Sequence, residues 1–236
     1  MIKHWKTFTI GATLTLIFIC MEAAIFSPLM KGQNMLQFAD NNFNMLAKGS
    51  SYFIPKVLKN SKEFKGKHID VAIKIDKKKY DPDAAVTVLT AAGARASIDG
   101  KKLNIKGDLG KMLEAAIRDS DDMYNNNGKA ISQRYGIEEK TAMKAWWFAF
   151  DMSCKALKKA KLMDESNILD EVNKKALEPS YNFYKIDAKK VSKNAGLLSA
   201  LLLFYVFYTL LWGFAIYYLF DGLGLSMSKA KVKAEV

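Results

Sequence analysis

The chain has 236 residues, half of them apolar, with 36 Lys and Arg against 24 Asp and Glu. The arginines are only Arg95, Arg118 and Arg134. Readers of nucleic acid lean on Arg for bidentate base contacts, so a Lys coat argues against nucleic acid and fits solvent or an anionic membrane surface. Cys20 and Cys154 lie in unlike stretches and are expected as free thiols, which excludes a disulfide framework and any CxxC metal or redox site.

Residues 1–6, "MIKHWK", make a short basic start. Residues 7–30 are apolar apart from Glu22 and small hydroxyl side chains, long enough to meet the roughly 20 residues a spanning helix needs. A retained anchor competes with a cleaved signal peptide. Cleavage after Ala24 would leave Glu22 at the third position before the cut, where a small residue is required. Ile19 stands before Cys20, where lipoprotein processing also wants a small residue. The anchor is the preferred reading.

Residues 31–194 are expected to form a soluble domain. An amphipathic helix continues to Ala47, with Met35, Phe38, Asn42 and Met45 near one face, and Gly49 to Ser51 should break it. A short helix from Tyr52 to Ser61 carries Pro55 in its first turn. "HIDVAIKID" alternates, with Ile69, Val71, Ile73 and Ile75 facing one way, which predicts a strand. The loop "KKKYDPD" leads to a helix over 83–92, with Asp81 as its cap, Pro82 in its first turn and Gly93 as its stop. Asp99-Gly100 predicts a two-residue hairpin turn, and Asp108 caps a helix to about Tyr124.

The order from His68 to Tyr124 is thus β-α-β-β-α, with "DGKK" in the hairpin. This layout resembles that of the small phosphocarrier HPr. The resemblance implies a phosphorylatable His at the first strand-to-helix turn. That turn reads Tyr80, Asp81, Pro82, Asp83, so phosphotransfer is not expected.

"NNNG" (Asn125 to Gly128) is a turn, followed by a short helix to Tyr135 that stops at Gly136. A long helix begins near Glu138, with Met143, Trp147, Phe150, Cys154 and Leu157 on its core face. The neighbouring Trp146 then falls on a flank as a candidate partner contact. A further helix, 166–177, should stop at Glu178-Pro179. The last should start there and run unbroken into a second span over 195–222, which carries no charge from Ala195 to Phe220. Residues 223–236 form a basic tail with Lys229, Lys231 and Lys233, too short for a signalling output module.

Chemistry-bearing patterns are scarce. His4 and His68 have no metal-ligand partner at useful spacing, and no P-loop or dinucleotide pattern occurs. "DSDDMYNNNG" is rich in oxygen ligands. The EF-hand template nevertheless puts Met123 and Arg134 where acids are required. An irregular cation site on Asp119, Asp121 and Asp122 stands beside the plainer reading of a solvated helix end. No catalytic group and no cofactor is expected.

The fold class is therefore α+β and helix-rich, with two transmembrane helices flanking a soluble domain that contains a small β-α-β-β-α unit. Basic tails on both flanks place both termini in the cytoplasm and the domain outside. The domain is itself basic, with 31 Lys and Arg against 21 Asp and Glu over 31–194, which weakens that orientation signal. The leading reading is a non-enzymatic accessory or structural protein that holds its domain at the lipid bilayer for a membrane-protein partner or a second copy. A two-span signal-input protein is the alternative, and an enzyme with an unrecognised site is the third. Pairing the two spans antiparallel, with Phe8 level with Gly222, sets Glu22 level with Tyr208. An acid in a bilayer seeks a polar partner, so Glu22 is expected near Tyr205 or Tyr208, or else at the outer boundary in reach of headgroups. Trp212 is a second candidate partner contact.

Overall fold

A computed structural model describes residues 2–75 and 80–225. The loop lysines Lys77, Lys78 and Lys79 and the tail lysines Lys229, Lys231 and Lys233 lie outside the described residues. The fold is helix-rich, with one three-stranded antiparallel sheet. It divides into two compact units, Met1–Phe43 with Lys190–Val236, and Asn44–Lys189.

The first unit is built on two apolar helices, α1 (Trp5–Phe26) and a last helix, Ala195–Gly222, both long and apolar enough to cross a membrane. α1 ends four residues before Met30. Pro28 forces the residue before it out of the helical region, and Ser27 is extended at φ −76°, ψ 146°. A turn with Lys31 and Gly32 at positive φ follows. α2 (Met35–Ser50) is opened by Asn34. The Asn34 side chain accepts from the Gln37 amide at 2.8 Å, and Gln37 Oε1 accepts from the Asn34 amide at 3.1 Å. This reciprocal cap satisfies two donors that a helix start leaves free.

α2 ends in the second unit and runs through Gly49 rather than stopping before it. Gly49 is needed there for proximity. A Cβ would lie 2.0 Å from the Lys189 carbonyl oxygen, and the Lys189 amide donates to the Met45 carbonyl at 2.9 Å. α3 (Ile54–Ser61) precedes β1 (His68–Lys74), whose alternation buries Ile69, Val71 and Ile73. α4 (Pro82–Ala91) is capped by Asp81, which accepts from the amides of Asp83 and Ala84. β2 (Arg95–Asp99) and β3 (Lys102–Asp108) form a hairpin whose two-residue turn is Gly100-Lys101, one residue later than Asp99-Gly100. Asp99 pairs with Lys102, and Gly100, at φ +56°, takes the first central position that a II′ turn reserves for Gly. The sheet order β1-β3-β2 puts β3 in the centre.

α5 (Leu109–Tyr124) is capped by Asp108. α6 (Gly128–Tyr135) closes on Gly136 at φ +69°, and α7 (Glu139–Lys159) is the central core helix. α7 packs against α4, α6, β1 and α8 (Met163–Val172). The helix after α8 does not stop at Pro179. Asn173–Leu177 widens into a π turn and continues as α9 (Glu178–Asn182). Proline lacks the amide that an α-helix needs, and the wider turn ahead of Pro179 accommodates that loss. The helix expected to run unbroken from there into the second span is absent. Lys185 at φ +65° and a short 3₁₀ turn at Val191–Lys193 separate α9 from α10, the Ala195–Gly222 helix.

Candidate functional site

Two arrangements stand out, one in each unit. In the first, α1 and α10 run antiparallel at close range. A Cβ on Gly222 would lie 2.6 Å from the Phe8 Cα, and one on Gly11 would lie 2.5 Å from the Leu219 amide nitrogen. The amides of Lys3 and His4 donate to the Gly222 carbonyl at 2.9 and 3.0 Å, so each helix end covers backbone groups the other leaves open. Small residues at a crossing let two backbones approach, which is how apolar helices associate without a hydrophobic drive.

This register brings Glu22 to Tyr208, whose hydroxyl donates to Glu22 Oε1. At about 1.5 Å per residue, Tyr208 lies about 20 Å from either end of α10. Phe18 is wedged beside the pair. Its ring lies 5.0 Å from that of Tyr208 and 4.6 Å from that of Trp212, the latter stacked at 29°. Trp212 therefore joins an aromatic pile within the helix pair, although 41% of it is exposed. Tyr205 is not brought to Glu22, and 64% of it is exposed. The arrangement has one carboxyl, one phenol and stacked rings. It can hold two helices in register.

In the second unit, Trp146 is fully buried and is no flank residue. The neighbour expected on the core face, Trp147, is only partly buried. Trp146 Nε1 donates to Asp119 Oδ2 at 2.8 Å, and the Tyr135 hydroxyl donates to the same oxygen. Arg134 donates to Asp119 Oδ1 and, at 2.9 Å, to Asp122 Oδ2. Burial pushes the Asp119 carboxyl above the usual carboxylate range, opposed by the Tyr135 and Trp146 donors and by the Arg134 charge. Asp121 instead accepts from the Tyr52 hydroxyl at 2.7 Å. Each of the three acids considered for a cation thus meets a protein donor, and the plainer reading of a solvated helix end fails for Asp119. Among the described residues no group of three His, Cys, Asp or Glu is placed to hold a metal ion.

Lys48 is a residue that periodicity does not single out. It is 3% exposed, and its ammonium donates to Asn126 Oδ1 and to the carbonyls of Phe183 and Ile186 at 3.1, 3.1 and 2.6 Å. The Tyr124 hydroxyl donates to the Lys48 carbonyl. Burial lowers the Lys48 pKa, and the Asp187 charge opposes that. Asn126, at φ +61° in the "NNNG" turn, also accepts from the Lys185 amide at 2.8 Å. The turn thus forms half of a clamp on the segment after α9. Cys154 is buried and free. Its thiol donates to the Ser166 carbonyl at 3.3 Å, and burial pushes its pKa up to about 11.

Comparison with protein-family models, with curated proteins and with solved structures returns no match. The β-α-β-β-α order from β1 to α5 is present, and no His occupies the turn before α4. His68 opens β1, with its Nδ1 3.1 Å from the Gly66 carbonyl.

Proposed function

We propose that the chain is a two-span membrane protein in which α1 and α10 cross the bilayer as an antiparallel pair, both termini are cytoplasmic, and the domain between them is presented outside. Its role is that of a non-enzymatic accessory subunit, holding that domain beside a membrane-protein partner or a second copy. The observation that carries this reading is the Glu22–Tyr208 hydrogen bond midway along α10. An acid on an apolar helix is costly in hydrocarbon and is tolerated where a polar group of a packed neighbour meets it. A cleaved leader would have no use for a matched partner nearly two hundred residues away in sequence.

Exposed aromatic side chains on both flanks of α10 favour additional helix neighbours. Tyr205, Phe207 and Phe214 are large, exposed and aromatic. Tyr205 lies deep in the span, where a phenol hydroxyl gains from an acceptor on another helix. Purification from membranes in mild detergent, followed by mass spectrometry and mass determination of the particle, tests the role. The expected result is a stoichiometric membrane partner or a defined oligomer, and a lone monomer overturns it.

A further inference from the structure

A cavity of about 380 Å³ opens on the second unit between α7, the π turn and α9, closed on one side by Tyr80. Its size lies at the small end of the range for ligand sites. Met143 and Leu177 are buried at its base, and its aromatic walls are Tyr80, Trp147 and Tyr181. The walls are braced. Tyr80 stacks on Phe148 at 4.2 Å, and Trp147 Nε1 donates to Glu178 Oε1 at 2.8 Å. The π turn brings Leu177 and Glu178 into the wall, and such turns recur at functional sites. Asn173, which opens that turn, is 4% exposed. It donates to the Trp147 carbonyl at 3.3 Å, while among the described residues its Oδ1 meets no hydrogen-bond donor.

The charges of the lining decide the ligand class. Among the described residues they are Lys144 and Glu178, one of each sign. Among the described residues the Lys144 ammonium meets no carboxylate and lies over the Tyr181 ring, 5.6 Å from its centroid, so it is free to take an anion. Glu178 uses one oxygen on the Trp147 indole, and among the described residues no hydrogen bond or ion pair engages the other. A simple cation would be repelled by Lys144, and by Lys140 5.9 Å from the same ring. A simple anion would be repelled by Glu178. A small zwitterion with an apolar body satisfies both charges and the aromatic interior together. We propose that this cavity binds a free amino acid with an apolar or aromatic side chain, its carboxylate on Lys144, its ammonium on Glu178 and its side chain between Trp147 and Tyr181 above Met143 and Leu177.

The test is calorimetric titration of the full-length protein in detergent with L-phenylalanine and L-leucine, beside two analogues that each lack one charge, 3-phenylpropanoate and phenethylamine. The expected result is saturable 1:1 binding of the amino acids, with each analogue weaker by about tenfold, the worth of one charge-assisted hydrogen bond. Lys144→Met lowers phenylalanine affinity by a similar factor and tightens phenethylamine, whose ammonium Lys144 repels. Glu178→Gln, which keeps an acceptor for Trp147, lowers phenylalanine affinity and tightens 3-phenylpropanoate, whose carboxylate Glu178 repels. Both side chains are exposed, and an unchanged unfolding midpoint confirms the fold of each variant. Absence of saturable amino-acid binding, or an analogue that binds as tightly as the amino acid, overturns the proposal. The membrane reading is untouched by either result.

Discussion

Asp119→Ala is the most informative single change in the second unit. The carboxylate is wholly buried and receives Trp146 Nε1, the Tyr135 hydroxyl and Arg134. Truncation leaves two buried donors without an acceptor, at about 1–3 kcal/mol each. It also strips Arg134 of its nearer partner, and breaking a buried charge pair costs about 3–5 kcal/mol. These penalties overlap. Arg134 keeps Asp122 at 2.9 Å, and its side chain is 26% exposed, so water replaces part of the loss. A total of about 3–4 kcal/mol is expected, a large share of the stability of an ordinary domain. Urea unfolding of the detergent-solubilised protein, followed by Trp fluorescence, measures it directly. Asp122→Ala is the control, since that acid is partly exposed and should cost about 1 kcal/mol or less. If Asp119→Ala lies within 1 kcal/mol of the unmodified protein, the buried network does not hold the domain together.

Gly11→Ile should lower the unfolding midpoint of the detergent-solubilised protein, with a cost of about 2 kcal/mol or more, because a side chain there strikes the Leu219 backbone. Gly213→Ile, where a Cβ meets nothing within 4 Å, should leave the midpoint within experimental error or raise it. Cys154 should resist iodoacetamide at pH 8 in the folded protein and react after denaturation, as read by mass spectrometry, because a thiol near pKa 11 is ionised to only about one part in a thousand at that pH. Lys48 supplies a pH dependence. Its folded pKa is lowered below 10.5, so the unfolded state binds more protons. Stability therefore rises as pH climbs from the folded value towards 10.5. The difference in unfolding free energy between the unmodified protein and Lys48→Met should grow over that window and stay flat at lower pH.

Local signals in the sequence were strong wherever one residue type has one structural use. Asp81 and Asp108 cap their helices as their positions suggest, and the Ile69–Val71–Ile73 alternation finds its buried face. The hairpin slipped by one residue because both Asp99-Gly100 and Gly100-Lys101 place Gly in a turn, and only the pairing of Asp99 with Lys102 separates them. The two tryptophans of α7 exchanged roles for a different reason. α7 is packed by helices and a strand around most of its circumference, so a single-face period cannot choose between adjacent rings. The indole donor of Trp146 also needs an acceptor, and that acceptor, Asp119, lies 27 residues away. Pro179 reads as a stop in any sequence, and only packing shows that a π turn carries the helix past it. Glu22 was legible because an acid in an apolar run is conspicuous. The glycines that fix its register, Gly11 and Gly222, are ordinary until the two helices are laid together.

The central claim is a two-span topology with the domain outside, and thiol accessibility in intact cells tests it most directly. In a Cys20→Ser background, where Cys154 is buried, single cysteines are introduced as Lys3→Cys before α1 and Asp99→Cys at the hairpin tip. They are then exposed to a membrane-impermeant maleimide. Labelling of Asp99→Cys is expected in intact cells, with labelling of Lys3→Cys only after lysis. Labelling of Lys3→Cys in intact cells, or recovery of the protein in the soluble fraction after lysis, would contradict that topology.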